Sequence, residues 1–262
     1  TIVYVSNTGV ARAAIDDVYN IVANPWSLAT GISGVPKSIA VIDPLTAYVV
    51  GQSGRIWKTT DGAASFTLVD NGATTVQNLN WIVAANANVL YAGGNNGALV
   101  KILNLSNGQT ISLVNILTSA GVSILAAGEH INVVAAPPGR DELYLGTSGG
   151  KIVRTIRANV TRPAFENKAF PLSGQGQVTD LQFTGYKGNM LFVLQRNSAG
   201  NSRVLRDISG GYLTDTQVEI IGGFTVPVNN LMNSIAPANE NYAMVVGEVE
   251  ASFAYVGSVT AT

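Results

Sequence analysis

The feature that most constrains this chain is a glycine-punctuated hairpin that recurs along its length. One copy runs from Lys37–Asp43, through a turn at Pro44, into Thr46–Gly51. A tight turn at Gln52-Ser53-Gly54 then leads into Arg55–Thr60, and a loop at Asp61-Gly62 precedes Phe66–Val69. Each run is rich in β-branched and aromatic residues and is bounded by Gly, Asp or Asn, the pattern of short strands joined by hairpins. The central part returns as Val89–Gly97 followed by Ala98–Lys101, and as Glu142–Gly150 followed by Lys151–Thr155. Looser copies are Met190–Gln195 with Arg203–Arg206, and Tyr242–Gly247 with Ala251–Tyr255; Ile2–Gly9 opens the first. The turn glycines sit where a hairpin needs positive φ or close strand approach.

Four strands in about 40 residues make one blade of a β-propeller. First strands rich in small residues precede several copies, at Trp81–Ala85, Ile131–Ala136 and Met232–Ala236, and small side chains suit a crowded innermost strand. The expected fold is therefore all-β: one β-propeller domain over 1–262 of about six four-stranded blades. Its approximate blades are 1–33, 37–72, 78–116, 130–172, 177–223 and 228–262. Two segments keep a five-bladed alternative open. Val10–Ala23 has apolar spacing that also suits an amphipathic helix, in which case Ile2–Ser6 would close a five-bladed ring beside Ala251–Val256. Leu117–Glu129 exceeds the length of a blade linker and reads as a helical turn or an insertion.

Composition narrows the function classes. Cys is absent, which removes thiol catalysis, thiolate–zinc sites and disulfides; at 262 residues the chain needs no such staples. Formal net charge is −1 and the sequence pI is about 5.8, so no basic stripe suggests a nucleic-acid partner. No run approaches the roughly 20 apolar residues of a membrane span. Thr1–Ser6 lacks the basic and apolar regions of a signal peptide. Charged residues are only 12%, against about a quarter in ordinary soluble domains. A free monomer keeps itself soluble with ions. This chain uses Ala, Gly, Asn, Thr, Ser and Val instead, which fits two readings: a small-residue-rich β protein whose polar surface is uncharged, or a surface largely covered by neighbours in a large assembly.

At Gly54–Phe66 the chain reads GRIWKTTDGAASF. This resembles the Asp-box, or BNR repeat, of sialidase-like and photosystem-assembly-factor-like propellers. Thr59, Asp61, Ser65 and Phe66 match that pattern, while Ala63 stands where the family has Gly. The resemblance implies that the Asp61 carboxylate accepts backbone N–H bonds within the connection between the third and fourth strands, and that Phe66 packs beneath it. It implies a structural role, since such propellers include enzymes, lectins and assembly factors alike. The other copies are degenerate: Asp16 stands as the candidate Asp of the first unit, before an outer strand at Trp26–Gly31, and the unit around Glu142 has Arg157 where Asp belongs.

Chemistry is hard to place. Sialidases of this architecture are similar to one another in an Arg-Ile-Pro motif, an arginine triad and a Tyr–Glu pair; here Arg55-Ile56 is followed by Trp57. Glycosidases need two carboxylates about 5–10 Å apart. Asp141 and Glu142 should diverge as strand neighbours, and Glu248 and Glu250 read as a hairpin tip. His130, the one histidine, supports neither a His-rich metal site nor an identifiable triad. Trp26, Trp57 and Trp81 fall where blade cores want bulk. No catalytic residue, metal or cofactor is expected. The leading expectation is a non-catalytic propeller whose partners are protein subunits of a large assembly, a composition resembling phage virion proteins of the capsid-decoration, neck or tail classes. It would then belong to a virion or another extracellular particle. The alternatives are a freestanding carbohydrate-binding or assembly-factor propeller, and a degenerate sialidase-like glycoside hydrolase. A surface glycan is a further candidate partner; the sequons Asn104-Leu105-Ser106 and Asn159-Val160-Thr161 are matches of a kind that arises by chance in an Asn-rich chain.

Overall fold

The computed structural model describes residues 2–13, 26–170, 174, 176–185, 188–197, 202–209, 211–213, 218–220, 231–237, 242–249 and 253–260. The chain divides into two compact units, Thr1–Val114 and Asn115–Thr262. Each consists of consecutive antiparallel sheets in which strands are neighbours in space in the order of the chain.

In the first unit, β1 (Ile2–Ser6), β2 (Gly9–Ala13) and β3 (Trp26–Leu28) form a three-stranded sheet. A four-stranded sheet follows from β4 (Pro36–Val41), β5 (Ala47–Gly51), β6 (Arg55–Thr59) and β7 (Thr67–Asn71). The third comprises β8 (Leu79–Asn86), β9 (Val89–Gly94), β10 (Leu99–Leu105) and β11 (Gly108–Leu113). The second unit repeats the plan. Its sheets are β12 (Ile131–Ala135) to β15 (Glu166–Lys168), with β13 (Leu143–Thr147) and β14 (Ile152–Thr155) between, and β16 (Gly176–Thr184), β17 (Met190–Asn197), β18 (Ser202–Asp207) and β19 (Val218–Ile220). Last comes a three-stranded sheet of β20 (Leu231–Pro237), β21 (Tyr242–Val249) and β22 (Phe253–Thr260).

Among the described residues the strands form six sheets, two of them with three strands where the repeat predicts four. Ile2–Ser6 pairs with Gly9–Ala13 in a sheet of its own, which removes the five-sheet count. Of the helical candidate Val10–Ala23, Val10–Ala13 belong to β2 and the remainder, with Asp16, lies outside the described residues. Leu117–Glu129 is not helical: it folds back through a Leu117–Ser123 bridge closed by Thr118 N–H donation to Ser123's neighbour, with Thr118 N to Val122 O at 2.9 Å. Glu248 lies within β21, paired with Ala254 one residue before the β21–β22 pairing ends at Val249 and Phe253; Glu250 lies outside the described residues.

Middle strands here are apolar without alternation because both faces of a sheet are covered. In β5 every residue is buried. Val49, with Trp57 of β6, packs toward Val10 of the first sheet, while Tyr48, Val50 and Ile56 pack toward Leu79, Ile82, Leu90 and Val100 of the third. In the second unit, Phe192, Leu194 and Val204 meet Met232, Ile235, Ala243 and Val245 in the same way. Trp57 is thus a core residue as expected of its position, and Trp81 is half-buried. Trp26 is not: it is 47% exposed, edge-on to Tyr4, on the face of the first sheet that looks away from the second.

Turns between second and third strands follow one design. The N–H after the strand donates to the chain entering the first strand: Gln52 to Val35 O, Asn95 to Asn78 O and Ser148 to His130 O, at 3.0, 2.9 and 3.0 Å. Gly51 and Gly94 are extended, and glycine is needed there for closeness, since a Cβ would lie 2.2 Å from Val35 O and 2.0 Å from Asn78 O. The glycine closing the turn needs positive φ as well; at Gly150 φ is +73° and a Cβ would stand 2.0 Å from Gly176 O. Each first strand from β4 onward also carries a bulge near its start, leaving Lys37, Asn80, Asn132, Thr179 and Asn233 as the extra residues. All are polar.

Two glycines separate torsion from crowding. Gly139 has φ +72° and open space around its would-be Cβ, so Gly139→Ala should cost only the left-handed penalty, about 1–2 kcal/mol. Gly150→Ala carries that penalty plus a backbone clash, and its urea midpoint should fall further by the equivalent of about 2 kcal/mol or more. Equal midpoints for the two variants would contradict the crowding argument.

Candidate functional site

The four residues singled out in the sequence come together in the loop from β6 to β7. Asp61 accepts Ala64 N–H at 2.9 Å, Ser65 N–H at 3.0 and 3.1 Å, the Ser65 hydroxyl at 2.6 Å and the Thr59 hydroxyl at 2.8 Å. Thr59 Oγ1 in turn accepts the N–H groups of Asp61 and Ala63 at 3.3 and 3.1 Å. Ser65, by hydroxyl and N–H, and Thr59 hold the Asp61 carboxyl well below the usual carboxylate range. Ala63 has φ +66°, which explains why a glycine is the easier residue there, and it is buried with Phe66 against Val10 and Trp57. The loop end is fixed to the first sheet through Phe66 N to Thr30 O at 2.9 Å. Every donor is local. The arrangement closes a loop and leaves the carboxylate no free lone pair aimed at a substrate.

The corresponding loops of two other sheets do the same work with different residues. After β18, Asp207 accepts Ser209 N–H at 3.0 Å, the Ser209 hydroxyl at 2.5 Å and Gly211 N–H at 2.7 Å, and Ser209 Oγ accepts Leu213 N–H at 3.1 Å. The carboxylate and the hydroxyl have exchanged places along the chain. After β14, Thr155 Oγ1 accepts Arg157 N–H at 3.3 Å, and position 157 supplies no carboxylate. Asp141, from the loop between β12 and β13, supplies it instead: its Oδ1 accepts Asn159 N–H at 2.7 Å and its carbonyl accepts Ala158 N–H at 3.2 Å. Leu45 O accepts Gly62 N–H at 3.0 Å in the same position of the second sheet. A search for hydroxyl–carboxylate pairs two residues apart after each third strand would have found Asp207; Asp141 has no local signal.

A second recurring element crosses the middle strands. Register places Tyr48 opposite Lys58, Tyr91 opposite Lys101, Tyr144 opposite Arg154 and Phe192 opposite Arg206. The cation lies over the ring in the first three, 5.4–5.7 Å from its centroid. Tyr48 and Lys58 both donate to Asn104 Oδ1, at 2.9 and 3.0 Å, and Asn104 Nδ2 donates to Ala87 O, so the amide of the first sequon is engaged in packing. Burial pushes the Tyr48 phenol up to about 12. The Tyr144 oxygen lies 2.7 Å from Glu142 Oε2 and 3.1 Å from Gly211 O; burial, then Glu142, raise its pKa strongly. Glu142 also receives Arg140 through two 2.7 Å contacts. Asp141 and Glu142 therefore do diverge, each to its own structural partner.

Two further carboxylates are buried. Glu129 accepts the Thr147 hydroxyl at 2.5 Å, Lys151 Nζ at 2.6 Å and Ala126 N–H at 2.9 Å. Burial pushes its carboxyl up, but Lys151, Thr147 and Ala126 together bring it below the usual range. Asp180, on the bulge of β16, joins its sheet to the next: Oδ2 accepts the Ser234 hydroxyl at 2.8 Å and Ile235 N–H at 2.9 Å. Its Oδ1 accepts Leu181 N–H at 2.8 Å and Gln182 Nε2 at 3.1 Å. Burial outweighs these bonds and raises its pKa. Among the described residues no group of three or more His, Asp or Glu is placed to hold a metal ion. His130 contributes its backbone N–H to Ser148 Oγ. Arg55 donates to Ser33 O, a structural use of the Arg-Ile pair.

No family model matches the chain, and no curated protein sequence matches it. Solved structures do. The β-propeller domain of Cps50 (Swd1) from Myceliophteria thermophila aligns over 100% of this chain and 85% of its own, at 16% identity and TM-score 0.65. The fold is that of a β-propeller. Sqt1 of Chaetomium thermophilum, solved bound to the N-terminus of ribosomal protein L10, aligns over 98% of this propeller and 66% of its own chain, at 14% identity and TM-score 0.68. An ancestral GH74 enzyme aligns over 99% and 35%, at 12% identity and TM-score 0.66. These identities carry the propeller fold and nothing further. Among the described residues, no helix is long and apolar enough to cross a membrane.

The two kinds of carboxylate have opposite pH signatures. Asp61 is depressed, so its contribution is present above the unfolded carboxyl range, near pH 4, and is lost as pH falls through its folded value. Asp61→Asn should have a lower urea midpoint than wild type at pH 7, and the gap should close on acidification. Asp180 is raised, so its contribution is present below the unfolded value and is lost as pH rises through the folded one. The deficit of Asp180→Asn relative to wild type should accordingly shrink from pH 4 to pH 7. Parallel midpoint curves in either comparison would contradict the assignment.

Proposed function

We propose that this chain is a non-catalytic β-propeller acting as a structural and interaction subunit of a larger protein assembly, such as a virus particle. The observation that carries the reading is the use of its acids. Nine acidic side chains among the described residues have internal partners. Asp43, Asp61, Asp70, Asp141 and Asp207 accept loop N–H groups. Asp180 joins two strands, and Glu129, Glu142 and Glu166 pair with Lys or Arg. Few ions are then left to solvate a surface that is already poor in charge, which favours a protein covered by neighbours. A general acid or base needs a carboxyl aimed at a substrate, and these are aimed at loop backbone or at neighbouring Lys and Arg side chains.

The Asp61 loop supports reading the fold as an Asp-box type of propeller, with the box serving closure. Sqt1, a propeller of the same fold, holds a protein segment, and this supports a protein partner here. A virion or similar particle is the setting that a low-charge, cysteine-free propeller fits best. Sedimentation of material from the native source tests the reading. The protein should travel with a particle far larger than 27.3 kDa and be visible on it by electron microscopy. A solitary protein that cleaves an arylsialoside would overturn it.

A further inference from the structure

The fourth sheet departs from the rest of the chain in charge. From Arg140 to Lys168 it has six Lys or Arg (Arg140, Lys151, Arg154, Arg157, Arg162, Lys168) against three acids, in a chain whose formal charge is −1. The acids are all engaged at home. Asp141 caps the loop through Asn159 N–H, Glu142 holds Arg140 and Tyr144, and Glu166 lies 3.6 Å from Arg154 and 3.5 Å from Lys168. Lys151 is neutralised by Glu129. The charge left over is that of Arg157 and Arg162, both exposed on the loop from β14 to β15 and neither with a carboxylate partner among the described residues.

Because Asp141 provides the cap from another loop, residue 157 need not face inward, and an arginine stands there in solvent. Beside it, Ile156 is 57% exposed. From the adjacent sheet of the same unit, Tyr212, 54% exposed, stacks 4.7 Å from the guanidinium of the buried Arg154. Tyrosine and arginine are among the residue types that dominate protein-binding hot spots, and here Tyr212 is held against a buried guanidinium.

We infer that the loop 155–165, with Tyr212, is a docking surface for an acidic polypeptide segment that carries an aromatic or aliphatic side chain. The uncompensated guanidinium groups of Arg157 and Arg162 select its carboxylates, and Ile156 and Tyr212 receive its apolar group. This deepens the interaction reading above and rests on it.

The test uses the full chain and two fluorescent probes, a random copolymer of glutamate and tyrosine and a glutamate homopolymer, followed by anisotropy. The copolymer should bind more tightly than the homopolymer, and binding should weaken as salt is raised. The double variant Arg157→Glu, Arg162→Glu should bind the copolymer about tenfold or more weakly. Tyr212→Ala should lose the preference for the copolymer and keep the salt dependence. Unchanged thermal melts show that these surface changes leave the fold intact. Equal copolymer binding by wild type and the double variant overturns the proposal, as does a single-stranded oligonucleotide that binds as well as the copolymer. A particle-bound subunit whose double variant binds as wild type does sinks this surface alone. A solitary protein that discriminates between the probes sinks the assembly reading alone.

Discussion

A short strand buried on both faces cannot turn to water for its hydrogen bonds, and this constraint organises the molecule. The loops that join such strands leave the sheet within a few residues, while their N–H groups are still at its margin. A buried donor left unpaired costs about 1–3 kcal/mol, and the loop N–H groups of Ala63 and Gly211 are buried, so these loops need acceptors close by. In this chain the acceptors are carboxylates and hydroxyls: Asp61 with Thr59, Asp207 with Ser209, and Asp141 with Thr155. The scarcity of charge and the internal use of charge are two sides of that requirement.

The strands themselves were largely legible. Runs such as Ala47–Gly51 are uniformly apolar and β-branched, and the glycines around them mark turns whose geometry admits little else. Periodicity lacks context. Over Val10–Ala13 an apolar spacing that also suits a helix competes with pairing to Ile2–Ser6, which is a tertiary fact. Residue type alone points Trp26 to a core, yet its burial depends on which face of a three-residue strand is covered. The bulges at the head of the first strands were invisible as well, since an extra polar residue looks like any loop residue until its partner strand is known.

The loop caps show how far local reading reaches. The Asp61 loop was found because donor and acceptor lie within five residues of one another. Asp207 was overlooked although it is equally local, because carboxylate and hydroxyl occur there in the reverse order. Asp141 lies 18 residues from the N–H it caps, and only the folded sheet brings the two together. The aromatic–cation pairs of the middle strands occur in four of the copies, but their meaning depends on register: Tyr144 and Arg154 are opposite one another, and nothing short of the hairpin pairing says so.

That the cap can be served from different places bears on ancestry. A loop closed by any carboxylate that reaches the same N–H groups tolerates drift at each position, provided some residue takes over before the old one goes. Repeats of this kind can diverge until no single column retains its letter, while the shape persists. Kinship would then be easier to trace in backbone geometry than in spelling, and the units of one chain would resemble foreign propellers in outline more than they resemble one another in text.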